Sequence, residues 1–474
     1  MTDYQSSHKP FWRVTSRERR FILLFGDILV TIFSLFVALY FWAVKDSWFN
    51  FSWDFLQQRP PDWYYFLPII WLILLLELYD LRRASRIQDI LQGIIFAVLV
   101  SAGVYLAIFF ISAPNPLPRR GVAGFIAAAA LLTLLWRLAY IKIFTAPLFL
   151  RRVLVIGAGR AGSTLVEIIK NMWPPPFHLV GLIDDDPQKL DKKIKDVLVV
   201  GTSKDLLKVI QQESISDLIF AISGDMKPQM SKAILSAEER GVEVTTMPVV
   251  YEDLTGRVPI QLLQDDWILR TFLDESHSSG SYEVIKRLID LTVSLLGLSV
   301  TVVCFPFVAL LILIDGGFPI FYRQTRMGKS GKLFQLYKFR TMVKDAEKDG
   351  IARLAVENDE RVTRVGRFLR KSRIDELPQF INVLRGDLSM VGPRAERPEL
   401  ITKMQREIPF YRARLFVKPG ATGWAQVNYI YASTLSENAM KLEYDLYYIK
   451  HRNLLLDLSI ILRTIGTILQ FKGQ

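Results

Sequence analysis

Long apolar runs dominate the first third of the chain. Four of them, each with few charged residues, lie at Phe21–Val44, Trp63–Tyr79, Ile87–Ile111 and Gly121–Phe144. About 20 apolar residues cross a hydrocarbon core as a helix, so these runs predict four transmembrane helices within residues 1–150. Buried core helices are the alternative, but four such runs joined by short loops favour a four-helix transmembrane bundle.

The basic residues around these runs predict their orientation. Most of them precede the first run, separate the second from the third, or follow the fourth, as at Arg19, Arg20, Arg82, Arg83, Arg151 and Arg152. The other loops hold only Lys45, Arg59, Arg119 and Arg120. Because loops rich in Lys and Arg stay in the cytoplasm, both ends of the block are expected there.

Strand-like and helical patterns alternate between residues 151 and 260. Short apolar segments typical of buried strands recur there, at 152–156, 179–183, 197–200, 218–222 and 242–246. Helical patterns separate several of them, at Ser203–Gln212 and Lys227–Arg240. This alternation predicts a parallel, doubly wound sheet, that is, a Rossmann-like α/β domain over residues 151–260.

A glycine-rich turn, Gly157-Ala-Gly159-Arg-Ala-Gly162, follows the first strand of that domain, and Asp184 ends the second strand. In one interpretation the turn binds a nucleotide pyrophosphate and Asp184 holds a ribose. In the other, the glycines only let the first helix pack closely on the sheet. No catalytic Tyr-x-x-x-Lys pair follows within residues 151–260. A nucleotide at this turn therefore stays possible but is not part of the predicted function.

A fifth apolar run, Leu291–Ile314, holds no charged residue, yet Lys and Arg lie on both sides of it. Both of its ends are therefore expected on the cytoplasmic side. Pro306 lies in its second half and would break a straight helix there. We expect residues 284–314 to form a re-entrant helix that is broken at Pro306 and dips into one leaflet.

The charge of the chain narrows its partners. The 474 residues include 59 Lys and Arg and 47 Asp and Glu, a net charge of +12. Residues 151–260 hold 14 basic and 15 acidic residues, whereas residues 283–474 hold 30 basic and 19 acidic ones. The basic excess thus lies beside the predicted membrane dip, after a linker at 261–282, and predicts an anionic partner other than nucleic acid. One cysteine and four scattered histidines predict neither a disulfide nor a zinc site.

A β-hairpin is predicted after the fifth run, with strands at Pro319–Met327 and Leu333–Met342 and a turn at Gly328-Lys-Ser-Gly331. A run of arginines then precedes the adjacent carboxylates Asp375 and Glu376. Asp375 is placed to cap a helix that begins at Glu376. A carboxylate at that position beside Arg stays ionised and can attack phosphorus. The alternative is an ordinary capped helix next to a solvated charge run.

Several motifs follow one another in order in this part of the chain. They are Tyr337-Lys-Phe-Arg-Thr-Met342, Asp375-Glu-Leu-Pro378, Gly392-Pro-Arg394 and Lys418-Pro-Gly-Ala-Thr-Gly-Trp424. With them, residues 283–474 resemble the bacterial sugar transferase family, the polyprenyl-phosphate phosphoglycosyl transferases with a monotopic catalytic domain. The preceding membrane block and α/β domain resemble the long form of that family, which starts exopolysaccharide assembly.

The resemblance implies a fold, an activity and a location. The catalytic domain would be mostly α-helical and monotopic. It would transfer a hexose-1-phosphate from a UDP-sugar to undecaprenyl phosphate and release UMP, as the first membrane step of exopolysaccharide, O-antigen or capsule assembly. The protein would lie in the bacterial inner membrane, with its active site on the cytoplasmic face, and family analogy suggests a homodimer.

The resemblance also implies roles for particular residues. Asp375 would be the nucleophile that forms a covalent phosphosugar intermediate, and it would bind Mg²⁺ together with Glu376, which assists the metal or a proton transfer. The substrate-binding residues would be Lys338, Arg340, Arg370 and Arg394, with Arg370 suited to the lipid phosphate. Pro306 would be the break of the re-entrant helix.

Two departures from the family pattern leave the sugar open. Ala395 follows Gly-Pro-Arg where proline is common, and Tyr429-Ile-Tyr431 follows Asn428 in place of Gly-Arg. Two other functions are alternatives. An NAD-dependent sugar-nucleotide dehydratase or epimerase lacks its Tyr-x-x-x-Lys pair, and under a non-enzymatic lipid-binding scaffold Asp375→Asn would leave function intact.

Overall fold

The computed structural model describes most of the chain. The described residues are 16–46, 48–111, 118–144, 150–173, 175–222, 224, 226–262, 280–344, 346, 359–429 and 434–469. Most of the predicted linker at 261–282 lies outside them, as do two residues of the Tyr429-Ile-Tyr431 segment. The contacts divide the chain into two compact units, residues 1–250 and 251–474.

Three long apolar helices form the start of the first unit. They are α1 (Ser16–Val44), α5 (Ile87–Ile111) and α6 (Arg119–Phe144), and each is long and apolar enough to cross a membrane. Short helices lie between α1 and α5, namely α2 (Trp53–Gln58), α3 (Leu67–Leu74) and α4 (Leu81–Ala84). The three long helices α1, α5 and α6 correspond to the first, third and fourth apolar runs.

The second apolar run differs from the prediction, because it is not one helix. A 3₁₀ segment at Asp62–Phe66 leads into α3, and a second one at Leu76–Tyr79 follows it. Leu75 leaves the helical conformation between them, with φ −85° and ψ 2°. The carbonyl of Leu78 accepts a hydrogen bond from Arg137 Nη1 at 2.7 Å. Irregular backbone at membrane depth needs such internal partners, and here a side chain of α6 supplies one.

A six-stranded sheet follows the helices. Its strands are β1 (Arg152–Ile156), β2 (His178–Ile183), β3 (Lys193–Ile194), β4 (Val197–Gly201), β5 (Asp217–Phe220) and β6 (Glu243–Thr246). Its helices are α7 (Arg160–Asn171), α8 (Leu206–Gln212), α9 (Pro228–Glu239) and α10 (Met247–Thr255).

The strand order of this sheet is β3-β4-β2-β1-β5-β6. All neighbours are parallel except β3 and β4. The chain therefore starts in the middle of the sheet and reverses direction at β1, which is the arrangement of a doubly wound sheet. The predicted parallel α/β sheet is thus present.

One long helix, α11 (Gly280–Gly316), opens the described part of the second unit after residue 262. It contains the fifth apolar run, and its backbone stays helical through Pro306. The predicted break there was wrong. Phe305 and Val308, on either side of the proline, pack into one cluster with Phe339 and Leu369, which holds both halves of the helix on the same surface.

A β-hairpin and a set of short elements complete this unit. The strands β7 (Phe321–Met327) and β8 (Leu333–Phe339) pair in antiparallel register around Gly328–Gly331, which confirms the predicted hairpin. The remaining helices are α12 (Arg364–Lys371), α13 (Phe380–Arg385), α14 (Pro398–Glu407), α15 (Trp424–Asn428), α16 (Leu435–His451) and α17 (Leu454–Leu469). Strands β9 (Ser389–Val391) and β10 (Gly420–Thr422) form a two-stranded parallel sheet.

Residues 251–260 belong to the second unit, and two of them lie in its core. Val258 and Ile260 are buried in the same cluster as Leu446 and Tyr448 of α16. The indole of Trp424 donates to the carbonyl of Gly256 at 2.8 Å. The segment that directly follows the α/β sheet is therefore an integral part of the second unit.

Candidate active site

The two adjacent carboxylates lie on a short 3₁₀ segment, Ile374–Gln379, between α12 and α13. Arg373 lies just after the end of α12, in the left-handed conformation with φ 55°, and is the residue directly before the 3₁₀ segment. The prediction that Asp375 caps a helix was therefore wrong. The left-handed turn at Arg373 starts the new segment two residues earlier than predicted and puts Asp375 inside its first turn, where it is buried.

Lys338 reaches the carboxylates from strand β8. Its Nζ atom lies 2.7 Å from Oε1 of Glu376 and 3.9 Å from Oδ2 of Asp375. Two arginines approach Glu376 from other elements: Arg373 Nη1 lies 3.4 Å from Oε2, and Arg394 Nη2 lies 3.7 Å from Oε1. Strand, 3₁₀ segment and the loop after β9 thus bring three cations to one carboxylate.

These contacts give the two carboxyl groups different pKa values. Burial alone would raise the pKa of Glu376, but Lys338, Arg394 and Arg373 outweigh it and hold that pKa well below the usual 4.5. Burial raises the pKa of Asp375 to about 6, and the negative charge of Glu376 adds to this, while Lys338 and Arg370 oppose it. Glu376 is therefore a fixed anion, and Asp375 is a more basic carboxylate beside it.

The other two predicted substrate-binding arginines face different partners. Arg370 Nε donates to Oγ1 of Thr341 at 2.9 Å, and its charge acts on Asp375 from α12. Arg340 is buried, and its Nη2 atom donates to the carbonyl of Gly317, just past the end of α11. The structure therefore brings Lys338 and Arg394 to the carboxylates of Asp375 and Glu376. Arg370 bonds Thr341 and acts on Asp375 through its charge, whereas Arg340 bonds the backbone at the end of α11.

The loop that carries Arg394 is held by close backbone packing. A side chain at Gly392 would place its Cβ atom 2.4 Å from the carbonyl oxygen of Lys418, so only glycine fits there. Arg394 itself forms a β-bridge with Gly420. The hydroxyl of Tyr448 donates to the carbonyl of Val391 at 3.1 Å. These contacts fix the base from which Arg394 reaches Glu376.

Sequence reasoning missed an anion behind this loop. The Glu396 carboxylate lies 2.7 Å from Lys441, 3.7 Å from Arg414 and 3.8 Å from Arg326. Burial would raise the pKa of Glu396, but Lys441 and Arg414 hold it at about 2. Its signal in the sequence was a lone acid between Arg394 and Arg397. This permanent anion balances the cations that surround the loop.

At this site one carboxylate, not two, is free enough of cations to bind Mg²⁺. Within the described ranges no group of three or more His, Cys, Asp or Glu side chains is placed to hold a metal. Mg²⁺ is commonly held by one or two carboxylates together with substrate phosphates. Both oxygens of Glu376 already face cations. Asp375, whose charged neighbour Lys338 is 3.9 Å away, therefore fits the ion, whereas Glu376 would first have to lose its cations.

The glycine-rich turn of the sheet has local partners. Asp184 Oδ2 accepts from the backbone N–H of Ala158 at 2.7 Å and from Lys189 Nζ at 3.1 Å. A Cβ atom at Gly162 would lie 1.9 Å from the carbonyl oxygen of Gly157. Gly162 is therefore needed for close packing of α7 on the turn. A ribose at Asp184 would have to compete with these hydrogen bonds.

Comparison with known proteins adds to this geometry. Residues 281–471 match the family model described as bacterial sugar transferase, and residues 75–248 match that of a CoA-binding domain. A UDP-N-acetylgalactosamine-undecaprenyl-phosphate N-acetylgalactosaminephosphotransferase from Aeromonas hydrophila is 42% identical over 46% of this chain and 51% of its own length. The chain thus spans about half the length of that relative.

Two further relatives match over longer stretches. An undecaprenyl-phosphate glucose phosphotransferase from Komagataeibacter xylinus is 32% identical over 66% of this chain and 58% of its own length. A UDP-glucose:undecaprenyl-phosphate glucose-1-phosphate transferase from Escherichia coli is 32% identical over 68% of both chains. The motifs, the convergence of Lys338 and Arg394 on the Asp-Glu pair, and these matches lead to one conclusion: the chain belongs to the bacterial sugar transferase family.

Proposed function

We propose that this protein transfers a hexose-1-phosphate from a UDP-sugar to undecaprenyl phosphate and releases UMP. The observation that supports it most is the buried Asp375 carboxylate, which lies beside a fixed anion inside a cluster of Lys and Arg. Both substrates are phosphate anions, and positioning and charge neutralisation dominate phosphoryl transfer. The named activities of the relatives support the same reaction class.

In the proposed first step an oxygen of Asp375 attacks the phosphorus that carries the sugar. A new bond forms between that oxygen and phosphorus, and the bond from phosphorus to the oxygen bridging to UMP breaks. UMP leaves with the electron pair, and the phosphosugar remains on Asp375 as an acyl phosphate. A pKa of about 6 leaves most of this carboxyl group ionised at neutral pH, so the nucleophile needs no base.

In the second step an oxygen of the lipid phosphate attacks the same phosphorus. The bond to Asp375 breaks, the carboxylate is regenerated, and the product is an undecaprenyl diphosphate sugar. Lys338 and Arg394 would exchange their contact with Glu376 for the phosphoryl oxygens as charge develops there. Bound Mg²⁺ would supply further neutralisation of the donor diphosphate, and Asp375 is the residue that would hold it.

We further propose that α11 does not cross the membrane, although it is one helix. One stripe along its whole length is buried against its own unit, at Asp290, Ser294, Thr301, Val308 and Ile312. Arg287 donates to the carbonyls of Val383 and Leu384, and near the other end Asp315 accepts from the N–H of Val365. A helix that crossed would draw these polar partners into hydrocarbon, where they are costly.

The opposite face of α11 is apolar and exposed. Its most exposed side chains are Val302, Val303, Phe307 and Ile314, each at least 70% accessible. A helix with one face on a folded domain and the other face apolar fits a shallow dip into one leaflet. Both ends of α11, and with them the active site, would then lie on the cytoplasmic face of the inner membrane.

The decisive experiment measures release of UMP from a panel of UDP-hexoses in membranes that contain undecaprenyl phosphate and Mg²⁺. Asp375→Asn should abolish release, whereas Glu399→Gln, an exposed carboxylate on α14, should leave it unchanged. With donor alone, the wild type should retain labelled phosphosugar covalently and Asp375→Asn should not. Turnover near the wild-type level in Asp375→Asn would refute the role of this residue, and the panel would identify the sugar.

The placement of α11 has its own test. A cysteine introduced at Lys329, on the turn of the β-hairpin, should be inaccessible to a membrane-impermeant reagent in intact cells and accessible after lysis. Labelling from outside would show that α11 crosses.

A further inference from the structure

The helix α12 presents two different faces. Leu369 and Val365 pack onto Val308 and Ile312 of α11, in the same cluster as Phe339. A Cβ atom at Gly366 would lie 2.1 Å from the carbonyl oxygen of Thr341, so the helix backbone also packs closely on the segment that follows β8. This inner face fixes α12 to the unit.

The outer face of α12 is basic. Its side chains are exposed, at Arg364, Arg367, Phe368 and Lys371. The spacing of three and four residues puts them on one side of the helix. Phe368, at the centre of this face, is 54% accessible, so an apolar ring is exposed among side chains of a single charge sign.

The basic face of α12 lies near the end of α11, the helix proposed to dip into the membrane. Asp315, in the last turn of α11, accepts a hydrogen bond from the N–H of Val365 in the first turn of α12 at 2.9 Å. Two apolar side chains near Asp315 in sequence are exposed: Ile314, just before it, is 76% accessible, and Phe318, just past the end of α11, is 72% accessible. If α11 dips into the bilayer, α12 lies where that helix leaves the hydrocarbon, at the level of the lipid headgroups.

We propose that Arg364, Arg367 and Lys371 bind the headgroups of anionic phospholipids in the cytoplasmic leaflet, with Phe368 inserted between them. The inference rests on the proposed placement of α11 and on the proposed activity. Clustered Lys and Arg beside an apolar membrane-facing surface are attracted to anionic lipid, and the attraction is screened by salt. Headgroups bound to this face would also hold Arg370, which lies on the inner side of the same helix and donates to Thr341.

The test compares turnover of the full chain in nanodiscs of phosphatidylcholine with discs that contain about 30% phosphatidylglycerol, a content at which surface charge is substantial. We expect the wild type to be at least about threefold faster in the anionic discs at low salt, and to lose this gain at about 0.5 M NaCl. The triple variant Arg364→Gln, Arg367→Gln, Lys371→Gln should match the wild type in phosphatidylcholine and show no gain. The charge-matched control Lys403→Gln, Arg406→Gln, Arg412→Gln, at exposed positions of the same unit, should keep the gain.

Each other result has a definite meaning. A triple variant that keeps the gain, or a wild type that shows none, overturns the lipid surface. If the triple variant has a raised KM for undecaprenyl phosphate in both kinds of disc, the three cations bind the substrate instead of phospholipid headgroups. That result would also refute the proposed lipid surface. Absence of turnover by the wild type in both discs would refute the proposed function itself. The salt response of the wild type needs no variant, so misfolding of a variant cannot hide the answer.

Discussion

The ion pair between Asp27 and Arg137 makes a strong prediction about the stability of the membrane helices. Arg137 Nη2 lies 2.6 Å from Asp27 Oδ2, and neither side chain is accessible. At about 4 Å between charge centres, an effective dielectric constant near 20 gives an attraction of about 4 kcal/mol. Breaking such a pair leaves one buried charge without its partner, which costs about 3 to 5 kcal/mol.

We therefore expect Arg137→Met and Asp27→Leu each to lower the free energy of unfolding by about 3 to 5 kcal/mol. The double variant Asp27→Leu, Arg137→Met should lose less free energy of unfolding than either single variant. It removes both charges, and it also removes the hydrogen bond from Arg137 to the carbonyl of Leu78. Leaving that buried carbonyl unpaired costs about 1 to 3 kcal/mol. The coupling energy between the two sites should thus be about 3 kcal/mol or more.

The measurement is equilibrium unfolding of the purified full chain in detergent for the four members of this cycle. Lys142→Met, an exposed position on the same helix, is the matched control and should change the free energy of unfolding by less than about 0.5 kcal/mol. Effects of the two single substitutions that simply add, within about 0.5 kcal/mol, would refute the interpretation that the pair acts as one energetic unit.

Two other substitutions test the second unit. Burial raises the pKa of Glu443 to about 7, against 4.5 in an unfolded chain, so its ionisation destabilises the fold progressively as pH rises from 4.5 to 7. Glu443→Gln should remove that pH dependence. It should raise the free energy of unfolding at pH 8 by about 3 kcal/mol and change it little at pH 4. A thermal midpoint that does not shift at pH 8 would contradict this expectation. Gly297→Val should place a side chain on the ring of Phe380, whose nearest atom would lie 2.4 Å from the new Cβ. It should cost about 1 to 3 kcal/mol and reduce UMP release, whereas Ser299→Val, on the exposed side of the same helix, should do neither.

Features that depend on local pattern were predictable from the sequence. The parallel strands and the β-hairpin follow from short apolar runs separated by glycine-rich turns, and the structure contains both. The carboxylate pair and its cations were found through motifs, because Lys338, Asp375 and Arg394 are far apart in sequence and meet only through packing.

Features that depend on tertiary context were not predictable. The pattern cannot show that Arg373 adopts a left-handed conformation, which moves Asp375 from a cap into a 3₁₀ turn. It cannot show that Arg340 turns to the end of α11 instead of the carboxylates. A proline normally marks a helix break, yet packing on both sides of Pro306 keeps α11 helical. In each case a contact with a distant element decides between local alternatives.

The lengthwise packing of α11 has a consequence for how the protein is made. The apolar run emerges from the ribosome before the elements that cover its buried stripe, and Phe380, which packs on Gly297, is translated about 80 residues later. At 5 to 20 residues per second this delay is about 4 to 17 s. During that time the run differs from a true crossing segment in the basic residues on both sides of it and in the polar residues of the stripe. Asp290, Ser294 and Thr301 would thus act during synthesis as well as in the folded protein. They would disfavour release of the helix from the translocon into the bilayer until the rest of its domain has been made and packs on it.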